Sequence, residues 1–382
     1  MVPNQRPLGR HPPPDVGTGQ PKDGVFIHGR RPCLRAEVRY STQAWLSAAR
    51  IKSTRKGNTA MTTRVFDKIY KIELPIPFQL KTTNVFFVDE PPRTLVDTGI
   101  KTEASFEALK KGMEAIGFSL KSIERILITH GHIDHFGQAK ELSSISGAPI
   151  YIHPKEYGRI RSILHILGYL KSVLLRNGTP ETLANEVVRY IESAQKMADP
   201  LEEAYFLEEG DPIPFGSMIW KTIHCPGHSP GLICFYWPEK KILFSGDHLL
   251  KEITPNPILN VPESISPLRY PSLKEYLASL EKIERLDISL LLPGHGEEVK
   301  DVKALIQKIF AHHRERMDLI CSILSRGKKT PFEIAMDLFP GAPPFEVFLG
   351  ISEAVGHLEI LREKGMVKVR EKDGKDYYSL EN

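Results

Sequence analysis

The chain has few cysteines and no long apolar run. Its four cysteines, Cys33, Cys225, Cys234 and Cys321, form no CxxC pair and show no spacing typical of a disulfide framework, so we expect a reducing, cytoplasmic environment. No uninterrupted apolar stretch reaches the roughly 18–20 residues that a membrane helix needs, and we expect no membrane partner. A hydrophobic content of 41% and a charged content of 26% are typical of a globular protein.

Residues 1–60 lack the apolar segment of a secretory signal and show no periodicity. They hold eleven Lys or Arg against three Asp or Glu, so the basic balance of the chain comes from this end. A segment rich in Pro, Gly and Arg cannot bury enough apolar surface to offset the entropy of ordering, which predicts a disordered basic extension. The alternatives are a targeting sequence and an upstream extension of a protein that begins at Met61.

The most informative segment is His-Gly-His-Ile-Asp-His at 130–135, which places four potential metal ligands in six positions: His130, His132, Asp134 and His135. Neutral imidazoles and carboxylates are ligands that a borderline divalent ion such as zinc accepts. The preceding segment, 125–129, is an apolar run of strand length with β-branched residues. The pattern therefore indicates a metal site on a loop that leaves a buried strand.

Three further segments repeat this arrangement of an apolar strand that ends at a Gly-rich turn. The predicted strands 218–223, 241–244 and 288–292 lead to His228, Asp247 and His295. A shorter strand, 94–96, leads in the same way to Asp97. Because loops after the strands of an open α/β sheet meet at one edge, we expect these side chains to lie together.

The runs THGHIDHFG, CPGHSPG, FSGDH and LLPGHG, with LVDTG upstream, resemble the metallo-β-lactamase superfamily over roughly residues 65–298. The resemblance implies an α/β fold, the four-layer αβ/βα sandwich, in which two mixed sheets lie face to face with helices outside. It implies one metal held by His130, His132 and His228. It implies a second metal held by Asp134, His135 and His295, with Asp247 bridging the pair.

The resemblance further implies that Asp97 orients a ligand or the bound water without binding metal itself. Two divalent ions, expected to be zinc with iron or manganese as alternatives, would share a hydroxide that attacks a carbonyl or phosphoryl group. Asp134, once bound to metal, would orient this hydroxide or accept a proton from it. The ligand set does not choose among thioester, ester, lactone, amide and phosphodiester substrates.

Other histidines receive structural interpretations. Those close to the motifs, His153, His224 and His248, are interpreted as supporting residues. Those in helical patterns, which include His312, His313 and His357, are interpreted as ordinary packing residues.

A helical insertion is predicted at about residues 155–209, between the first cluster and His228. Apolar residues recur at helical spacing around 160–170 and again in 180–197. The insertion emerges on the metal-bearing side, where it would roof the site with an apolar wall. The alternative is that its helices pack on the outer layer.

The segment 303–382 is predicted to be separately organised. Three helical patterns are followed by a hairpin pattern at 366–380, an arrangement that resembles a winged-helix domain. This part of the chain resembles the subgroup that includes β-lactamase-like protein 2, which is associated with endoribonuclease activity. From Cys321 onward there are nine basic and ten acidic residues, so nucleic acid is not the favoured partner. A structural or homodimerising role, or covering one side of the active site, is favoured instead.

The sequence thus predicts an extension (1–60), a catalytic domain (61–302) and a winged-helix-like domain (303–382). The favoured function is dinuclear metal-dependent hydrolysis of a thioester or ester in a small or carrier-bound acyl substrate. The alternative is a metal-dependent endoribonuclease on single-stranded RNA. The two differ in salt dependence, since binding to phosphates weakens steeply as salt increases.

Overall fold

The computed structural model describes residues 62–78, 80–161, 164–259 and 270–381. The predicted extension at 1–60 lies outside the described residues. Within them the strands are β1 Thr62–Phe66, β2 Ile69–Pro75, β3 Thr82–Val88, β4 Thr94–Val96, β5 Arg125–Leu127, β6 Ile150–Ile152, β7 Tyr205–Phe206, β8 Pro212–Phe215, β9 Met218–His224, β10 Ile233–Trp237, β11 Ile242–Gly246, β12 Leu290–Pro293, β13 Val367–Lys372 and β14 Lys375–Leu380.

Helices in the described part of the chain surround these strands. They are α1 Glu103–Ala115, α2 Ile133–Phe136, α3 Ala139–Ser146, α4 Pro154–Arg161, α5 Leu164–Arg176, α6 Glu181–Gln195, α7 Ser272–Glu284, α8 Val302–Leu324, α9 Pro331–Leu338 and α10 Pro344–Glu363. The structure describes no helix that is long and apolar enough to cross a membrane.

Two mixed sheets form the centre of the molecule. One has the strand order β1-β2-β3-β4-β5-β6-β7, antiparallel as far as β4 and parallel beyond it. The other has the order β12-β11-β10-β9-β8, in which only β11 and β12 run parallel among the described strands. The five strands that the sequence predicts before the ligand loops are confirmed as β4, β5, β9, β11 and β12.

Three apolar cores separate four layers. The core between the two sheets packs Phe86 and Leu127 of the first sheet with Trp220 and Phe244 of the second. On the outer face of the first sheet, helices α1 and α3 bury residues such as Met113 against it. Helices α7 and α8 pack on the outer face of the second sheet. The αβ/βα sandwich expected from the sequence is confirmed.

Helix α8 joins this sandwich to the C-terminal elements. Leu305 and Ile309, in its first half, belong to the core of the second sheet. Ile320 and Leu324, in its second half, pack with Leu358 of α10 and with the hairpin strands. The predicted three helices and hairpin are confirmed as elements, while their winged-helix likeness and the boundary at 302–303 stay predictions.

Helix α9 begins at a side-chain cap. The Thr330 side chain accepts the Glu333 N–H, and Pro331 occupies the first helical position, where its missing N–H costs no hydrogen bond. The two helices predicted in the insertion are present as α5 and α6, and the additional helix α4 precedes them. Residues 162–163, between α4 and α5, lie outside the described residues.

Candidate metal centre

Seven side chains from four loops meet where strands β5, β9, β11 and β12 end. Strand β5 leads into the short helix α2. The cluster at 130–135 lies just before this helix and within it. Each of the other three strands ends at a turn that supplies a single side chain. The seven side chains are His130, His132, Asp134, His135, His228, Asp247 and His295, and all are buried or half-buried.

The first four ligand atoms converge on one point. His132 Nδ1 lies 2.9 Å from both His130 Nε2 and His228 Nε2. Asp247 Oδ2 lies 3.6 Å from His228 Nε2 and 4.0 Å from His130 Nε2. The three histidines and Asp247 thus offer their ligand atoms within 4.8 Å of one another.

The remaining three residues form a second group beside the first. His295 Nε2 lies 3.4 Å from Asp134 Oδ2, and His135 Nε2 lies 3.9 Å from the same oxygen. Asp247 contacts this group as well, because its Oδ1 lies 3.4 Å from His135 Nε2 and its Oδ2 lies 3.5 Å from His295 Nε2. Asp247 is therefore placed between the two groups.

These separations fit tetrahedral coordination. Ligand atoms at about 2.0–2.1 Å from a zinc ion and at tetrahedral angles lie roughly 3.3 Å from each other. The hydrogen-bond pattern fits as well, since His135 Nε2, His295 Nε2 and Asp247 Oδ1 are buried without a hydrogen-bond partner in the described chain. Buried polar atoms are rarely left unpaired, so a cation between them suits this donor set.

The ring nitrogens that point away from the cluster form hydrogen bonds, and these fix the tautomer that a metal needs. His228 Nδ1 donates to the Asn256 carbonyl at 2.9 Å, and His295 Nδ1 donates to the Thr82 carbonyl at 2.7 Å. A carbonyl only accepts, so the proton of each neutral ring sits on Nδ1 and the Nε2 lone pair faces the centre.

Asp97 performs the same task for His135. Its Oδ2 lies 2.9 Å from His135 Nδ1, and Thr129 donates its backbone N–H to Oδ1 at 2.8 Å and its hydroxyl to Oδ2 at 2.8 Å. Asp97 itself adopts a left-handed backbone with φ 59°, which few residue types tolerate. Its carboxylate therefore contacts the His135 ring and is absent from both ligand groups.

The histidines of the cluster differ in the direction of their pKa shifts. Burial lowers the pKa of His130 and His132 well below the usual value, so both rings are neutral and present lone pairs. Burial acts the same way on His295, but the carboxylates of Asp247 and Asp134 outweigh it and raise its pKa to about 10. Protons on such a ring supply the positive charge that the carboxylates attract, and a bound dication would displace them.

Glu156, from the start of α4, is a residue of this site that sequence reasoning missed. Its carboxylate accepts the backbone N–H of Gly131 at 3.0 Å and that of Gly231 at 2.6 Å. A Cβ at Gly131 would lie 2.6 Å from Glu156 Oε2, and one at Gly231 would lie 2.8 Å from Glu156 Cγ. One fully buried carboxylate thus connects the loop of the first cluster to the loop that carries His228. In the sequence, the only signal for this contact was the presence of Gly131 and Gly231 near the ligands.

Two of the supporting histidines form a separate pair. The rings of His153 and His224 stack with centroids 4.2 Å apart, and His224 Nε2 contacts the Pro230 carbonyl at 2.9 Å. His248 is buried behind Asp247, against the ring of Tyr276. The structure groups none of these three with the ligand atoms.

A cavity of about 800 Å³ opens onto the cluster. His132, Asp134, His228, Asp247 and His295 all contribute to its wall. The rest of the lining is mainly apolar and comes from the segment between β2 and β3, from α2, from the insertion, from the loop after β11, and from α8 and α10. The insertion therefore borders the site, as the roof interpretation predicted.

A two-sheet sandwich with histidines and aspartates converging at strand ends defines a class of metal-dependent hydrolases. The family model described as the metallo-beta-lactamase superfamily matches residues 80–295 of this chain. The chain belongs to that superfamily.

Similar proteins support this assignment. The probable metallo-hydrolase YqjP of Bacillus subtilis (strain 168) is 29% identical over 305 residues, covering 79% of this chain and 93% of that protein. A beta-lactamase-like protein 2 homolog of Caenorhabditis elegans is 23% identical over 271 residues, covering 70% and 75%. The crystal structure of a metallo-beta-lactamase family protein from Thermus thermophilus superposes with a TM-score of 0.74 at 27% identity, covering 83% of this chain and 100% of that one. The protein is a metal-dependent hydrolase.

Proposed function

We propose that the protein hydrolyses a thioester or ester of a small or carrier-bound acid, using two divalent ions held by the seven clustered side chains. The main support for the proposal is that this cluster opens into a largely apolar cavity. Pockets lined by apolar side chains with a few polar groups at one point suit a substrate with an apolar portion and one reactive group.

The chain supplies the ligands and their orientation. The first ion would be held by His130, His132 and His228, and the second by Asp134, His135 and His295, with Asp247 between them. Such an ion pair, when bound, lowers the pKa of water toward about 7 and polarises a carbonyl oxygen. Zinc is the proposed metal, since nitrogen and oxygen ligands at tetrahedral separations suit it, with iron and manganese as alternatives.

Two aspartates have further roles in this proposal. Asp134 lines the cavity, where its carboxylate would orient the attacking water or accept its proton. Asp97 would act through His135, by holding that ring in the tautomer that binds metal. In the reaction water adds its oxygen to the acyl carbon, the bond from that carbon to sulfur or oxygen breaks, and the leaving thiol or alcohol takes the proton.

The charge of the cavity favours an acyl substrate over RNA. Outside the ligands its lining carries three cationic and three acidic residues: Arg159, Lys251, Lys308, Glu186, Glu252 and Glu346. Binding to a phosphate backbone relies on an excess of Lys and Arg, and this lining has none. Single-stranded RNA is thus the alternative substrate class that the experiment must separate.

The experiment combines metal analysis with parallel assays of one preparation. Elemental analysis of the purified protein measures bound zinc, iron and manganese per chain. Acyl-thioester, ester, lactone, phosphodiester and RNA substrates are then compared at low and high salt. Thioester or ester hydrolysis that is nearly insensitive to salt supports the proposal. RNA cleavage that falls steeply with salt, without acyl hydrolysis, would overturn it.

We also propose a cytoplasmic location. Its support is that Cys225 and Cys234 are buried thiols outside any disulfide in the described part of the chain. Treatment with a thiol reagent under denaturing conditions, on protein taken directly from the source cell, measures whether these thiols are reduced there.

A further inference from the structure

We infer that the substrate of this site is the thioester or ester of a long aliphatic acid, whose chain lies in the apolar part of the cavity. The inference rests on the proposed acyl hydrolysis and adds the identity of the acyl group. It comes from three walls of the cavity that converge on the ligand cluster from distant parts of the chain.

The first wall is the insertion. Leu170 of α5 and Ile191 and Ala194 of α6 line the cavity. Leu170 is buried in a cluster shared with α10, and Ile191 packs against that cluster. The insertion helices are therefore held against the C-terminal part of the chain, so this wall exists before any substrate binds.

Two other walls extend this apolar surface. Leu259 follows β11, and Phe348 and Leu349 belong to α10; all three line the cavity. Leu259 and Phe348 are buried in the same cluster as Leu170. Packing among side chains from three segments makes the surface rigid, and a rigid apolar surface favours an aliphatic ligand over a polar one.

The size of the cavity selects the length of the acid. About 800 Å³ lies in the upper part of the range, roughly 300–1,000 Å³, of cavities that enclose small molecules. An acetyl group at the metal ions would leave most of this wall in contact with water. Each methylene that a longer chain buries there gains the transfer free energy of one methylene, which corresponds to about a fourfold increase in kcat/KM.

The charge of the cavity lining does not favour one carrier of the acyl group over another. The three cations and three carboxylates of the lining offset each other, so a charged carrier gains no net attraction. We therefore expect acyl-chain length to matter more than the carrier. Coenzyme A thioesters and the uncharged N-acetylcysteamine thioesters of the same acid should be hydrolysed at similar rates.

The test measures kcat/KM for acetyl, butanoyl, octanoyl and dodecanoyl thioesters. We expect a steep increase from acetyl to octanoyl or dodecanoyl. Equal values for acetyl and dodecanoyl thioesters would overturn the inference and leave the proposed acyl hydrolysis standing. Hydrolysis of no thioester or ester at any length would overturn the proposed function itself.

A matched pair of variants locates the chain. Ala194→Trp fills the apolar wall, whereas Ser193→Trp adds the same side chain at the neighbouring exposed position of α6. Ala194→Trp should lower kcat/KM for dodecanoyl thioester about tenfold or more, and should lower it more than kcat/KM for acetyl thioester. Ser193→Trp should change neither. Ile191→Ala removes side-chain volume from the wall and enlarges the cavity with little risk to the fold. It should shift the acyl-chain preference toward longer acids.

Binding of dodecanoate gives a readout that needs no turnover. Titration calorimetry with protein freed of metal by a chelator should show binding to the wild type and to Ser193→Trp, and weak or no binding to Ala194→Trp. Wild-type protein that binds no dodecanoate, or Ala194→Trp protein that folds and binds it equally well, would overturn the assignment of this wall.

Discussion

The backbone N–H of Gly231 donates to the carboxylate of Glu156 over 2.6 Å, while Gly131 donates to the other oxygen of the same carboxylate. Gly131 separates His130 from His132, and Gly231 follows the turn that carries His228. Glu156 thereby fixes the two loops from which the first ligand group comes. We assign it a positioning role, through the backbone, for these three histidines.

Replacing Glu156 by Ala should weaken metal retention. Two buried N–H groups would lose their acceptor, at a cost of roughly 1–3 kcal/mol each, and the two loops would lose their connection. We expect the chelator concentration that strips the metal to fall by about tenfold to a hundredfold, the range typical for groups that orient ligands.

Glu192→Ala, at an exposed position of α6, is the control and should retain metal normally. Glu156→Gln keeps one acceptor oxygen and should restore part of the lost affinity. Wild-type metal retention in Glu156→Ala, measured on folded protein, would show that the carboxylate is only a structural contact.

Asp134→Ala should abolish hydrolysis while leaving the fold largely intact. The side chain belongs to the second ligand group and lines the cavity, and the apolar cores contain none of its atoms. Turnover and metal content per chain are measured together with the melting temperature. Normal turnover with unchanged metal content would contradict the role assigned to Asp134.

Gly294→Ala should release metal because the added Cβ would displace ligands. It would lie 2.6 Å from Asp247 Oδ1 and 2.8 Å from His135 Cε1, both closer than real Cβ contacts allow. Gly210→Ala is the comparison: its φ of 86° strains an alanine, but its Cβ would meet nothing within 4 Å. We expect Gly210→Ala to cost about 1 kcal/mol of stability without metal loss. Equal metal content in the two variants would argue against the tight approach of Gly294.

The buried histidine pair between α8 and α10 should make folding stability depend on pH. His313 Nδ1 lies 3.0 Å from His357 Nε2, and His357 Nδ1 donates to the Glu353 carbonyl at 2.6 Å. Burial lowers the pKa of His357 from 6.5 to about 4, although the Glu353 charge opposes the shift. The unfolded chain therefore binds more protons than the folded chain between these values, and stability is lost as pH falls through this window.

From His357 alone the loss is on the order of 3 kcal/mol between neutral pH and about pH 4. Denaturant unfolding of chelator-treated protein measures it without interference from metal release. The variant His357→Gln removes this titration, so its stability should decline less over the same range. A parallel decline in both proteins would show that His357 does not titrate as proposed.

Much of the fold could be predicted from local patterns. The apolar runs before Asp97, His130, Asp247 and His295 are strands buried on both faces, which requires continuous apolar residues. The run before His228 is also a strand, although residues of one face are exposed. The helical spacing in the insertion was equally readable. In each case the signal lies within a few neighbouring residues.

The histidines of the C-terminal helices show where local patterns end. His313 and His357 were interpreted as packing residues, and they are buried in the described structure, but their contact joins positions 44 residues apart. Helical spacing predicts which face of each helix is apolar. It does not predict which polar side chains meet where two such faces pack.

The sequence by itself determined the kinds of ligand, their order and their place at strand ends, since these depend on residue type and short-range periodicity. Only the tertiary structure decided that Glu156 joins Gly131 to Gly231 and that Leu170, Leu259 and Phe348 line one cavity beside the ligands. Such contacts join residues far apart along the chain. They exist because whole helices and sheets bury their apolar faces together, and no short segment contains that information.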